Sequence, residues 1–231
     1  DIALASFPTP FSDFSATKSQ KFCSIDALSR EAVVFSFSFE KKKSSAKPFE
    51  VISYDIFSTT NKESCWTMGD FNNDGITELV TASSENGEVL LLESNRDGFS
   101  GLVDSSPSLR GITQLSSIKQ GGQTKLLVLS TEEEVLGVSD YTKGNGFSFP
   151  AMIKVNGVPI AAVPSITDKR KDDKILVLCE EDSEYLLKTF ESSGNDSGYE
   201  VKNQFKVEEL RREPSSLFTC NLNGDNFEDV L

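Results

Sequence analysis

A strand phrase that returns along the chain limits the fold more than any other feature. Glu78-Leu79-Val80-Thr81-Ala82-Ser83 runs from an acid directly into an apolar segment. Asp1-Ile2-Ala3-Leu4-Ala5-Ser6 repeats the phrase, and Asp229-Val230-Leu231 begins it again. Lys125-Leu126-Leu127-Val128-Leu129-Ser130 and Lys174-Ile175-Leu176-Val177-Leu178 repeat its apolar part behind a lysine. From Glu78 the steps are about 47, 49 and 55 residues, the loose range of four-stranded propeller blades. A less regular copy passes through Glu31-Ala32-Val33-Val34-Phe35. Units of this size bury their apolar faces against neighbours, so the repeat predicts a stack of similar sheets.

The punctuation between phrases repeats as well. Leu79 to Ser83 precedes the turn Ser84-Glu85-Asn86-Gly87, then Val89 to Leu92, then Asn95-Arg96-Asp97-Gly98 and Phe99. Leu126 to Ser130, Glu132-Glu133-Glu134, Val135 to Val138 and Lys143-Gly144-Asn145-Gly146 before Phe147 follow the same order. So do Ile175 to Cys179, Glu181-Asp182-Ser183, Tyr185 to Phe190 and the polar Ser192 to Gly198. Each set reads as strand, hairpin turn, strand, turn. No segment holds helical periodicity over several turns; Phe205 and Val207 alternate as in a strand, while Glu208 to Arg212 suits at most a short helical turn. The fold class predicted is all-β, a β-propeller, with the near-continuous apolar runs expected of strands covered on both faces.

A formal charge of -13 argues against a general DNA or RNA binder. Lys41-Lys42-Lys43 and Lys169-Arg170-Lys171 are short and read as solvated loops. The chain has no histidine, which removes Ser-His-Asp and Cys-His mechanisms and histidine-based zinc, haem or non-haem iron sites built from these residues. Cys23, Cys65, Cys179 and Cys220 are far apart in sequence; they suit either two disulfides or buried thiols. No apolar run is long enough to span a membrane as a helix, so direct membrane insertion is not expected. Asn195-Asp196-Ser197 is a potential glycosylation sequon.

Asp70-Phe71-Asn72-Asn73-Asp74-Gly75-Ile76-Thr77-Glu78 sets oxygen-bearing side chains at alternate positions of one compact turn, and Asn221-Leu222-Asn223-Gly224-Asp225-Asn226-Phe227-Glu228-Asp229 repeats the spacing. Calcium takes several oxygens in irregular geometry, which suits such a turn; a metal-free Asx turn is the plainer reading of the same residues. With Gly69 before the first loop and Leu79-Val80 after it, and Val230 after the second, the chain resembles the calcium-loop β-propellers with FG-GAP or VCBS-type repeats, found in integrin α-subunit heads and exported bacterial proteins. The resemblance implies a six- or seven-bladed ring, of which residues 1–231 would supply four to five blades, cut within a repeat at both ends. It implies Ca2+ ligands at Asp70, Asn72, Asp74, the Ile76 carbonyl and Glu78, with Glu78 one methylene longer than the customary aspartate. In the second loop it implies Asn221, Asn223, Asp225, the Phe227 carbonyl and Asp229, with a neutral first ligand and Asn226 in place of the customary glycine. The corresponding stretches Ser117 to Lys125 and Ile166 to Lys174 end in lysine, predicting metal-free turns in which Lys125 and Lys174 serve as tethered cations.

These ligands close turns, and no pair of carboxylates stands out as general acid and base. Trp66 within Cys65-Trp66-Thr67-Met68 reads as a buried strand residue beside the first loop, and Phe7, Phe11, Phe14, Phe147 and Phe149 as packing between blades. The reading is a non-catalytic, calcium-stabilised scaffold that binds a protein or glycan, other blades of the same protein, or an assembly. The rival is an exported propeller enzyme acting on polysaccharide. Calcium supply favours an extracellular, periplasmic or cell-surface setting, with an intracellular scaffold as the alternative.

Overall fold

The computed structural model describes residues 2–5, 18–26, 31–39, 50–55, 65–83, 86–95, 98–165, 172–193, 198–208, 214, 216–220, 222 and 229–231. The runs Lys41 to Lys43 and Lys169 to Lys171, the sequon at Asn195, and Phe7, Phe11 and Phe14 lie outside them. The chain forms two compact units, Asp1–Glu63 with Arg96–Phe99, and Ser64–Asn95 with Ser100–Leu231.

In the first unit β1 (Ile2–Ala5), β2 (Lys18–Asp26), β3 (Glu31–Phe39) and β4 (Glu50–Asp55) form one antiparallel sheet in chain order. β2 and β3 pair in unbroken register from Lys18 opposite Phe39 to Asp26 opposite Glu31. The phrase at Ile2–Ala5 is the first strand of its sheet and the less regular copy from Glu31 lies in the third, whereas the copies from Glu78 onward are second strands, so neither early copy occupies the repeat position its sequence suggested.

The second unit is a series of antiparallel sheets. β5 (Trp66–Gly69), β6 (Glu78–Ser83), β7 (Glu88–Asn95) and β8 (Gly98–Pro107) make one sheet. The next contains β9 (Ile112–Gln120), β10 (Gln123–Ser130), β11 (Val135–Ser139) and, after a small hairpin of β12 (Tyr141–Thr142) and β13 (Gly146–Phe147), β14 (Ala151–Ile153). A third is built from β15 (Val158–Ser165), β16 (Lys174–Glu181), β17 (Glu184–Ser192) and β18 (Tyr199–Lys206), and β19 (Thr219–Cys220) pairs with β20 (Asp229–Val230). First strands lie beside first strands: β5 by β9, β9 by β15, β15 by β19.

The apolar runs form second strands because both of their faces are covered. On β10, Leu126 and Val128 enter a core shared with Val80, Val89 and Leu91 of the preceding sheet. The alternate residues Leu127 and Leu129 enter a core shared with Ile175, Val177 and Phe190 of the following sheet. On β16, Leu176 and Leu178 face the other way, toward Leu217. Period-two alternation places successive side chains in different cores, so a run apolar at every position is what two covered faces require.

Two local predictions are corrected. Ser117 to Lys125 forms no long turn equivalent to the Asp70 loop; β9 and β10 meet at Gly121-Gly122, with φ of 59° and 77°, and their register runs on to Gln123 opposite Gln120. Two consecutive positive φ values make a tight hairpin, which glycine allows without steric cost. The turn at Lys143 to Gly146 closes the separate β12–β13 hairpin, and the fourth strand follows it. Phe147 is buried between sheets, but Phe149 is 56% exposed.

Cys65, Cys179 and Cys220 are thiols, and burial holds the Cys65 thiol up at about 12, in its protonated form. Between the second and third sheets lies Lys188, whose side chain is 2% exposed. Its Nζ donates to the Asn156 carbonyl at 2.7 Å and to Glu181 Oε2 at 2.5 Å. A buried ammonium held this way fixes the entry to β15, and truncation would leave both acceptors without it. Lys188→Ala should lower the unfolding free energy by about 2–3 kcal/mol in urea titration, below the range for fully buried broken pairs because Glu181 is partly exposed. A loss under half a kcal/mol would contradict this role.

Candidate metal centre

β5 and β6 position the first loop, with Gly69 opposite Glu78 at its base. Between them the chain turns through Asn73 at φ 58° and Gly75 at φ 84°. Asparagine and glycine are the residues that take this left-handed region at least cost. The side chains then point inward and bind backbone N–H groups. Asp70 Oδ1 accepts from Asp74 N–H at 3.0 Å, and Oδ2 from Gly75 N–H at 3.0 Å. Asn72 Oδ1 accepts from Asp74 N–H at 2.9 Å, and Asp74 Oδ1 from Ile76 N–H at 2.7 Å. Asn72 Nδ2 donates to Asp74 Oδ2 at 3.1 Å.

Glu78 closes the loop from inside the protein. It is 0% exposed, and its Oε2 accepts from Phe71 N–H at 2.8 Å. Its other oxygen, Oε1, is buried and has no hydrogen-bond partner among the described residues. One carboxylate oxygen each from Asp70, Asp74 and Glu78 lie within 4.8 Å of one another. An unpaired carboxylate oxygen costs free energy when buried, and a cation between three carboxylates offsets both the desolvation and their mutual repulsion. This acidic cluster can hold a metal ion. Of the implied ligands, Asp70, Asp74 and Glu78 converge, Asn72 lies in the same network, and Ile76 is placed by its N–H bond to Asp74.

In the second loop Asn221, Asn223, Asp225 and Phe227 lie outside the described residues. Asp229 starts β20, and its Oδ2 accepts from Leu222 N–H at 2.8 Å. The same acid position thus receives the same backbone donor in both loops. The apolar second residues, Phe71 and Leu222, differ: Phe71 is buried and Leu222 is 65% exposed. The Phe71 ring anchors the first loop in the core between the sheets, a role that an aromatic between two ligand positions signals in the sequence.

Lys125 and Lys174 are bound to acids across their sheets. Lys125 Nζ lies 2.8 Å from Asp140 and Lys174 Nζ 2.7 Å from Glu191. The registers, with Leu126 opposite Ser139 and Ile175 opposite Phe190, put each lysine directly across from its acid. Leu79 opposite Leu92 puts Glu78 across from Glu93 in the same way. Two sheets therefore match lysine with acid where the first sheet matches acid with acid. Trp66 sits in β5 opposite Thr81, half-buried instead of fully buried.

No family model matches the chain, and no curated protein matches it. Among the described residues no helix is long and apolar enough to cross a membrane.

Burial raises the Glu78 carboxyl from 4.5 to about 7, aided by the charges of Asp74 and Asp70 and opposed by the N–H groups of Phe71 and Asn72. The folded, metal-free protein therefore retains a proton that the unfolded chain releases near pH 4.5. Its stability should fall as pH rises from about 4.5 to 7, by on the order of 2–3 kcal/mol. Urea titrations of chelated protein at pH 5 and 7.5 measure this, with Glu78→Gln flattening the difference; an equal pH dependence in the variant would assign it elsewhere.

Proposed function

We propose that the Asp70 loop binds Ca2+ and that the chain is part of a non-catalytic β-propeller scaffold of the FG-GAP or VCBS kind, which displays a protein- or glycan-binding surface. The observation that carries the metal reading is the buried Glu78 carboxylate, clustered with Asp70 and Asp74 and with its Oε1 unpartnered among the described residues. Hard oxygen donors on a flexible turn favour calcium over the octahedral demands of magnesium. Asp70, Asn72, Asp74 and Glu78 would hold the ion, which supplies positive charge that ties the loop ends together.

A structural role is supported by how the carboxylates are used. Asp70, Asp74 and Glu78 each already accept backbone N–H groups of the loop, so moving one to serve a substrate would dismantle the turn. The propeller reading is supported by successive four-stranded antiparallel sheets whose first strands lie side by side. We place the protein in an extracellular, periplasmic or cell-surface compartment, where calcium is abundant. The intracellular-scaffold alternative is kept because Cys65, Cys179 and Cys220 are thiols.

Thermal melting of the intact chain, first with chelator and then with calcium returned, tests the metal role. At hundredfold excess over Kd, binding to the folded state alone contributes about 2.7 kcal/mol, a rise in Tm of roughly 5–10 °C. Asp74→Ala should abolish that rise, and a chain indifferent to calcium would refute the reading. Release of reducing ends from polysaccharides by the calcium-loaded chain would instead establish the enzyme.

A further inference from the structure

The metal loop carries an aromatic side chain out of its own sheet and into the next one. Phe71, between Asp70 and Asn72, has its N–H on Glu78 Oε2 at 2.8 Å and its ring in the core between the first two sheets of the second unit. There the ring meets Phe147 edge to face, with centroids 5.3 Å apart and planes at 80°. Phe147 in turn meets Tyr141 at 5.1 Å and 60°. Phe147 and Tyr141 are paired residues of the β12–β13 hairpin.

That hairpin is short. Its two strands are two residues each and its turn, Lys143 to Asn145, is exposed. Outside the ring cluster it is tied by Phe147 N–H to Ser106 Oγ at 2.8 Å and Tyr141 Oη to Asp104 Oδ2 at 3.1 Å, both on β8. At its base, Ser148 and Asp140 exchange hydrogen bonds, and Asp140 meets Lys125. A two-stranded hairpin of this length is not stable alone, so its order depends on these aromatic contacts together with the hydrogen bonds to β8. The loop base lies close to the neighbouring sheet: a Cβ at Gly69 would come within 3.0 Å of the Phe71 ring, of Ser117 and of Thr124.

We propose that the β12–β13 hairpin is a calcium-responsive latch, ordered when the Asp70 loop is occupied and loosened when it is empty, with Phe71 as the link. This rests on the calcium reading above. Occupation draws the Glu78 carboxylate toward Asp70 and Asp74, fixes the acceptor of Phe71 N–H, and so fixes the ring against Phe147. Loss of the ion frees the loop, the edge-to-face contact weakens, and the hairpin opens locally while the sheets remain folded. Coupling of this kind needs a two-state element biased by the site, and a short hairpin near the low end of local stability supplies it.

Backbone hydrogen exchange of the intact chain, with calcium and with chelator, tests the proposal at three places: residues 70–78, residues 141–147, and β16–β17 as an internal standard. Chelation should speed exchange in 70–78 and, by about tenfold, in 141–147, while β16–β17 changes little. Phe71→Leu keeps apolar volume but removes the ring contact; its loop should still respond to calcium while residues 141–147 exchange fast in both conditions. A calcium response at 70–78 with none at 141–147 would overturn the latch and leave the metal site standing. No response at 70–78 would overturn both. Equal acceleration at all three places would show only global destabilisation and would also overturn the latch, as would a Phe71→Leu hairpin that still follows calcium.

Discussion

Burial of second strands on both faces is the constraint on which the rest of the second unit depends. Leu126 to Leu129 divide their side chains between two cores, and Ile175 to Leu178 do the same one sheet later. Each such leucine or isoleucine contributes about 1.5–3 kcal/mol relative to exposure. Removing a neighbouring sheet would leave alternate residues in water, so each sheet is stable only as part of the series. The Asp70 loop, the lysine pairs and the hairpin are positioned by these packed strands.

The repeat position at the start of the second strand shows how one backbone site accommodates different electrostatic solutions. Lys125 and Lys174 each face an acid on the third strand, and these partly exposed pairs add little stability. Glu78 faces Glu93 and turns its carboxylate into the preceding loop instead. That choice leaves an oxygen buried without a donor among the described residues, a cost that protonation of Glu78 relieves and that a cation between the acids would offset. Loop length does not follow the acid: with lysine at this position the strands of the next sheet join through two glycines, whereas Ser165 and Lys174, paired one sheet later, lie as far apart in sequence as Gly69 and Glu78.

Much of the fold was legible in the sequence because its strands are marked by period and punctuation. The positions of β6, β7, β10, β11, β16 and β17 follow from apolar runs bounded by Gly, Asn and Asp turns. The converging acids Asp70, Asp74 and Glu78 were legible because their spacing is local and reflects one turn. Gly121-Gly122 could have been read as a tight hairpin from its dipeptide alone. Lys188 could not: it follows two leucines in an ordinary alternating strand, and nothing nearby in sequence announces Glu181 and Asn156 as its acceptors.

The sequence by itself determined what depends on near neighbours: all-β structure, the repeated hairpins and an acidic turn suited to a cation. Side-chain alternation and turn chemistry operate over a few residues, so they can be read from a string. Only the tertiary structure decided which cores the strands share, that Glu78 is wholly buried with one oxygen unpaired, and that Phe71 reaches Phe147 across a sheet boundary. Those facts arise when segments distant in sequence pack face to face, where burial and the geometry of meeting surfaces set the energies.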